Sequence, residues 1–202
     1  MVAVMAMVLY IKANPKDHQE SRTFQISEHF IQTYRTLHSE DNVVTLDLYR
    51  ENVKPLTGEE VGLTHAPKTS AHLFLKYAHQ FNQAEKIVIA APLWNLGVPS
   101  ILKAYLDYVM IVGINFRYTE AGPEGLCAGK KAIHITSRGG IYTEEPYAQY
   151  EMADRYLRTI LGFLGITDFR TIAVEGLDIQ GADVKALVEQ GKKRAEEVAK
   201  IF

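Results

Sequence analysis

A chain of 202 residues, 47% apolar and 23% charged, is long enough for one sizeable buried core and ordinary for a globular protein. Its net charge of −2 offers no electrostatic footing for nucleic acid or an anionic membrane surface. The single cysteine, Cys127, excludes an intramolecular disulfide and a thiolate metal cluster.

The chain opens on MVAVMAMVLYI, which lacks a basic leader segment and a small-residue cleavage site and is too short to span a bilayer. A strand over Val4–Ala13 is expected, buried on both faces because its apolar run is continuous rather than alternating. With no targeting segment in view, a cytoplasmic location is the default. A polar loop, NPKDHQESRT, follows. From Thr23, Phe24, Ile26, Phe30, Ile31, Tyr34 and Leu37 recur at helical spacing. Val43–Leu48 reads as the second strand. Residues 49–68, punctuated by Pro55, Gly58, Gly62 and Pro67, read as an irregular excursion that helps shape the mouth of a site. Ala71–Ala84 is a helix with Leu73, Tyr77 and Phe81 on one face.

Ile87–Ala91 is the third strand, ended by Pro92. Ser100 can cap the next helix, whose Leu102, Tyr105, Leu106, Val109 and Val112 form a stripe for the core or a subunit contact. GINFRYTEAGPEGLCAGK is a loop or small hairpin. Lys131–Thr136 is the fourth strand, SRGGIYTEEPYAQY a polar loop, and a helix runs through Tyr156, Ile160 and Phe163. Phe169–Val174 is the fifth strand, and a helix over about 182–201 closes the chain. Five strand–helix units in one domain spanning 1–202 imply an α/β fold with a five-stranded parallel sheet in flavodoxin-like order, 2-1-3-4-5. Ligands of such sheets bind beyond the carboxyl ends of the strands, at the switch point between the first and third.

Three loops meet there. In the first, Ser21 and Thr23 either cap a helix or join its free amides in an anion site. In the second, PLWNLG, the indole of Trp94 either packs on the following helix or stands as a flat wall. In the third, the glycines of Ser137-Arg138-Gly139-Gly140 are either a plain turn or a place where backbone approaches a flat ligand. Other chemistries lack their residues. There is no G-x-x-x-x-G-K-[ST], no G-x-G-x-x-G and no G-x-S-x-G. The histidines form no H-E-x-x-H or H-x-H, so no metal site is expected. His72 and His79, seven apart, read as surface or boundary residues. Nothing marks a base beside Cys127 that would make it a nucleophile.

LWNL at 93–96, SRGG at 137–140, NFRYTEAGPEGL at 115–126 and GFLGI at 162–166 together resemble the FMN-dependent NADH:azo compound oxidoreductases, within the flavodoxin-like NAD(P)H:quinone reductases. The resemblance runs over nearly the whole chain. It implies bound FMN, with NADH as co-substrate, and a ping-pong two-electron cycle that reduces azo bonds to amines or quinones to hydroquinones. No dedicated catalytic side chain is implied. Ser21, Arg22 and Thr23 match the phosphate loop, with Asn14 where a serine is frequent in the family and the loop one residue longer. Leu93, Trp94, Asn95 and Leu96 match the segment along the flavin ring and ribityl chain. Ser137, Arg138, Gly139 and Gly140 match the ring's polar edge, with Arg138 a candidate positive group there. Tyr118 and Phe163 match aromatic positions lining the substrate face, Phe163 from the partner subunit of a homodimer. The alternatives are a quinone reductase with incidental azo activity, a flavodoxin-type electron carrier, for which −2 is too weak a charge, and a flavin-free interaction domain.

Overall fold

The computed structural model of the protein describes residues 5–64 and 75–202. Five parallel strands form the central sheet: β1 (Met7–Lys12), β2 (Asn42–Asp47), β3 (Lys86–Ala90), β6 (Lys131–Ser137) and β7 (Asp168–Val174). Their spatial order is β2-β1-β3-β6-β7, which is the expected 2-1-3-4-5 once the strands of a separate hairpin are left out of the count. That hairpin pairs β4 (Phe116–Thr119) with β5 (Gly122–Gly125).

The continuous apolar runs have the cause the sequence suggested. Alternate residues of each strand feed two different cores. Leu9, Ile11, Ile87 and Ile89 face α3 (Lys76–Gln83), α4 (Ser100–Val109) and α5 (Met152–Phe163). Val8, Tyr10, Val88, Ala90, Ile133 and Ile135 face α1 (Arg22–Leu37) and α6 (Val184–Ala199). Leu102, Tyr105, Leu106 and Val109 of α4 are wholly buried, so that stripe belongs to the core and is not free to make a subunit contact.

Several boundaries differ from expectation. The excursion after β2 contains a helix, α2 (Gly58–Leu63), held by a reciprocal capping box between Thr57 and Glu60. α4 takes Pro99, not Ser100, as its N-cap, and Val112 lies beyond it, bridged to Phe116. The expected start of β1 at Val4, and residues 71–74 with Leu73, lie outside the described residues.

The hairpin docks on the end of α5 at one close approach. A Cβ on Gly125 would stand 2.1 Å from the Leu164 carbonyl carbon and 2.3 Å from the Gly165 nitrogen. Only glycine lets the two backbones meet there.

Candidate functional site

At the carboxyl edge of β1, β3 and β6 a cavity of about 280 Å³ opens. Asn14, Ser21 and Arg22 line one side; Leu93, Trp94, Ser137, Arg138 and Gly139 line the rest. The cavity therefore brings together all three loops singled out in the sequence. Lys16 and Glu20 of the first loop and Pro92 of the second also line it, as do Leu177 and Asp178, which no motif marked. The rule that ligands sit beyond the strand ends would have included the loop after β7, which supplies Leu177 and Asp178.

Ser21 is the N-cap of α1: its Oγ accepts the Phe24 amide at 3.2 Å and the Asn14 side-chain amide at 3.0 Å. With both acceptor positions engaged, its hydroxyl proton remains available to a ligand. Asn14 is 6% exposed, and its Oδ1 accepts the Lys16 amide at 3.0 Å. Its side chain thus braces the loop from within. Thr23 is fully buried, and its hydroxyl shares one short bond, 2.6 Å, with the Ser137 hydroxyl. One bond between two hydroxyls consumes one proton and leaves the second. The amides of Arg22 and Thr23 stand at the first two helical positions, where a helix has no carbonyl to offer them. The helix reading and the anion-site reading are therefore compatible: the cap organises the donors. The Arg22 guanidinium adds a positive charge at the rim and pairs with Asp178 at 2.7 Å.

Trp94 is 38% exposed and lines the cavity. It begins a tight turn in which Trp94 and Gly97 exchange both backbone hydrogen bonds at 3.0 Å. The two residues between them, Asn95 and Leu96, have φ of 48° and 68°. Asparagine tolerates this left-handed conformation; leucine does so at a cost of about 1–2 kcal/mol. The Leu93 amide donates to the Ser137 carbonyl at 3.1 Å, joining the second loop to the third. Asn95 and Leu96 flank the cavity without lining it, as does Gly140 on the third loop.

The third loop is stitched to the segment after β7. The Leu177, Asp178 and Gly176 amides donate to the carbonyls of Arg138, Gly139 and Gly140 in turn. Neither glycine of the pair has a positive φ. Room is tight at both: a Cβ on Gly139 would stand 2.4 Å from the tip of the Asp178 carboxylate, an exposed side chain able to move aside, and one on Gly140 3.2 Å from the Tyr142 ring. The Arg138 side chain is 4% exposed and held by Glu175 at 2.8 Å and Glu151 at 3.1 Å. Its charge is neutralised by those two carboxylates and is not displayed as a free cation. Burial works to raise the Glu175 carboxyl, but hydrogen bonds from Thr143, Arg138 and the Tyr142 amide hold it below the usual carboxylate range.

Tyr118 and Phe163 lie elsewhere. They sit on either side of Phe116, with ring centroids 5.6 and 5.1 Å from it, and neither lines the cavity of its own chain. Cys127 is wholly buried, its Sγ 3.3 Å from Asn115 Oδ1, and burial pushes its thiol up, so it is no nucleophile. His79 is exposed on α3 and His72 is outside the described residues.

Residues 6–199 match the family model described as the flavodoxin-like fold. An FMN-dependent NADH:quinone oxidoreductase of Caldicellulosiruptor saccharolyticus is 55% identical over 201 residues, covering 98% of this chain and 100% of that protein. The FMN-dependent NADH:quinone oxidoreductase 2 of Clostridium acetobutylicum is 56% identical over the same length, with the same shares. Among solved structures, an azoreductase from Bacillus anthracis superposes with a TM-score of 0.90 at 34% identity, covering 98% of this chain and 100% of that one. An FMN-dependent NADH-azoreductase from Bacillus anthracis, solved in complex with FMN, gives 0.87 at 29% identity, covering 98% and 99%. With the strand order, the switch-point cavity and these matches in agreement, the chain belongs to the flavodoxin-like fold family.

Proposed function

We propose that this protein is an FMN-dependent NADH:quinone and azo compound oxidoreductase, and that FMN occupies the cavity at the β1/β3/β6 edge. The observation that carries the reading is the convergence of three loops on that cavity, with spare anion donors at one end and an exposed indole at the other. The residues present fit such a ligand. The Ser21 hydroxyl, the spare proton of the Thr23–Ser137 pair, the first amides of α1 and the Arg22 guanidinium would hold the phosphate. Trp94 would flank the ring, and the backbone of 93–96 and 137–140 would face its edges. Because Arg138 is committed to Glu151 and Glu175, the polar edge is served by loop amides rather than by a free guanidinium. FMN supplies the two-electron chemistry when bound; the protein binds and orients it and sets its electrostatic surroundings.

The single domain carries one such site, and the acceptor's aromatic wall comes from a second copy of the chain. Tyr118 and Phe163 are 64% and 38% exposed and stand clear of their own cavity, so they serve a site across a homodimer. Among the described residues no helix is long and apolar enough to cross a membrane, and a cytoplasmic site of action accords with the lone buried thiol.

Purified protein titrated with FMN should bind one flavin per chain and oxidise NADH with a benzoquinone or an azo dye as acceptor. Protein that binds no flavin would sink the reading. Comparing kcat/KM for the two acceptors, with NADH and with NADPH, ranks the substrates. Sedimentation should give a dimer; a monomer that turns over at full rate would remove Phe163 from the acceptor's wall.

A further inference from the structure

The two loops at the ring end of the cavity leave different strands, and one turn of helix holds both. The Met152 amide, first in α5, donates to the Leu96 carbonyl at 3.0 Å, on the residue with the less favourable left-handed backbone. The residue before it, Glu151, is the N-cap. Its carboxylate accepts the Asp154 amide at 3.0 Å, closing the helix start, and receives the Arg138 guanidinium from the SRGG loop at 3.1 Å. Asp154, three positions after Glu151 in the same turn, accepts from His134 at 3.2 Å and from Thr171 at 2.6 Å. The other nitrogen of His134 lies 3.2 Å from the carbonyl of Ala91, at the base of the Trp94 loop. Glu151 and Asp154 are each only 9% exposed.

We propose that Glu151 is a positioning residue for the flavin site: it presents the Met152 amide to Leu96 while its carboxylate holds Arg138, and so fixes the Trp94 turn and the SRGG loop relative to each other. This rests on the FMN reading above. Glutamate is an unusual choice for an N-cap, where serine, aspartate and asparagine serve better. A shorter side chain would cap the helix and fail to reach Arg138. The longer one does both.

That difference supplies the test. Glu151→Ser preserves a cap and removes the link to Arg138; Glu151→Gln keeps the length and removes the charge. Three measurements are made on each: thermal unfolding of the flavin-free protein, FMN dissociation constant by fluorescence quenching, and the state of the bound flavin, read from its visible circular dichroism and two-electron potential; steady-state kinetics with a benzoquinone add KM and kcat. The expected result for Glu151→Ser is FMN affinity weaker by about tenfold, the scale of one lost loop-fixing contact, an altered dichroism and potential, and a lowered unfolding temperature, because the buried Arg138 keeps only Glu175 as counter-charge. Glu151→Gln should lie between. The quinone KM should move less than kcat. A Glu151→Ser protein with wild-type FMN affinity, dichroism and potential would overturn the proposal and leave Glu151 a helix cap. If Glu151→Ser does not fold, a Glu151→Gln protein indistinguishable from wild type in all three measurements overturns it equally. Wild-type protein that takes up no FMN would instead remove the underlying function, and is told apart by the first titration.

Discussion

Trp94 is the residue at which two opposed readings part. A large apolar side chain in a strand–helix connection is ordinarily packing, yet this one is more than a third exposed and lines the cavity. Stacking of an indole on a flat ring is worth about 0.5–1.5 kcal/mol. Trp94→Ala should therefore weaken FMN binding about two- to twelvefold, while the unfolding free energy of the flavin-free protein changes by less than about 1 kcal/mol. A loss of stability with unchanged FMN affinity would restore the packing reading. Asp154 behaves differently. Burial would raise its carboxyl, but hydrogen bonds from His134, Thr171 and Arg158 hold it well below the usual carboxylate range. A carboxyl depressed in the folded state stabilises above its unfolded value, near 4, and that contribution is lost as pH falls through the folded value. Denaturant unfolding should show Asp154→Asn less stable than wild type at pH 7, with the two proteins converging as the solution is acidified.

At the scale of the element, the hairpin and α5 form one unit. Phe116 holds Tyr118 on one side and Phe163 on the other, and Gly125 lets the hairpin backbone lie against Leu164 and Gly165. Backbone atoms cannot rotate away as a side chain can. Gly125→Ala should cost about 1–3 kcal/mol in unfolding free energy, and acceptor turnover should fall with it as Tyr118 and Phe163 separate. Gly129→Ala, with open space around its Cβ, offers a control limited to the strain of its φ of 83°. The elements themselves were largely readable from the chain. The inner strands β1 and β3 announce themselves as unbroken apolar runs, and all five strands of the central sheet lie where the sequence places them. α2 was missed because six residues carry no helical period, although the T-x-x-E of Thr57 and Glu60 was there to be seen. The site was legible in parts. Its three loops are local in sequence, so their motifs survive in the string. The neutralisation of Arg138 was not legible, since its partners lie 13 and 37 residues away and no short pattern joins them. Asp178 escaped for the same reason.

For the molecule as a whole, the division of the sheet's side chains between two cores has a thermodynamic corollary. Both cores are built mainly from strand and helix residues, and of the cavity's own side chains Leu177 alone belongs to them. The ligand edge can thus be liganded or bare without repacking the interior, and unfolding and cofactor release become linked by mass action alone. The melting temperature should then climb with the logarithm of free FMN concentration, by about 1.4 kcal/mol of unfolding free energy for each tenfold excess over the dissociation constant. Calorimetry across a range of FMN concentrations would check it: a flavin-free protein with no cooperative transition would mean that the cofactor is part of the interior after all.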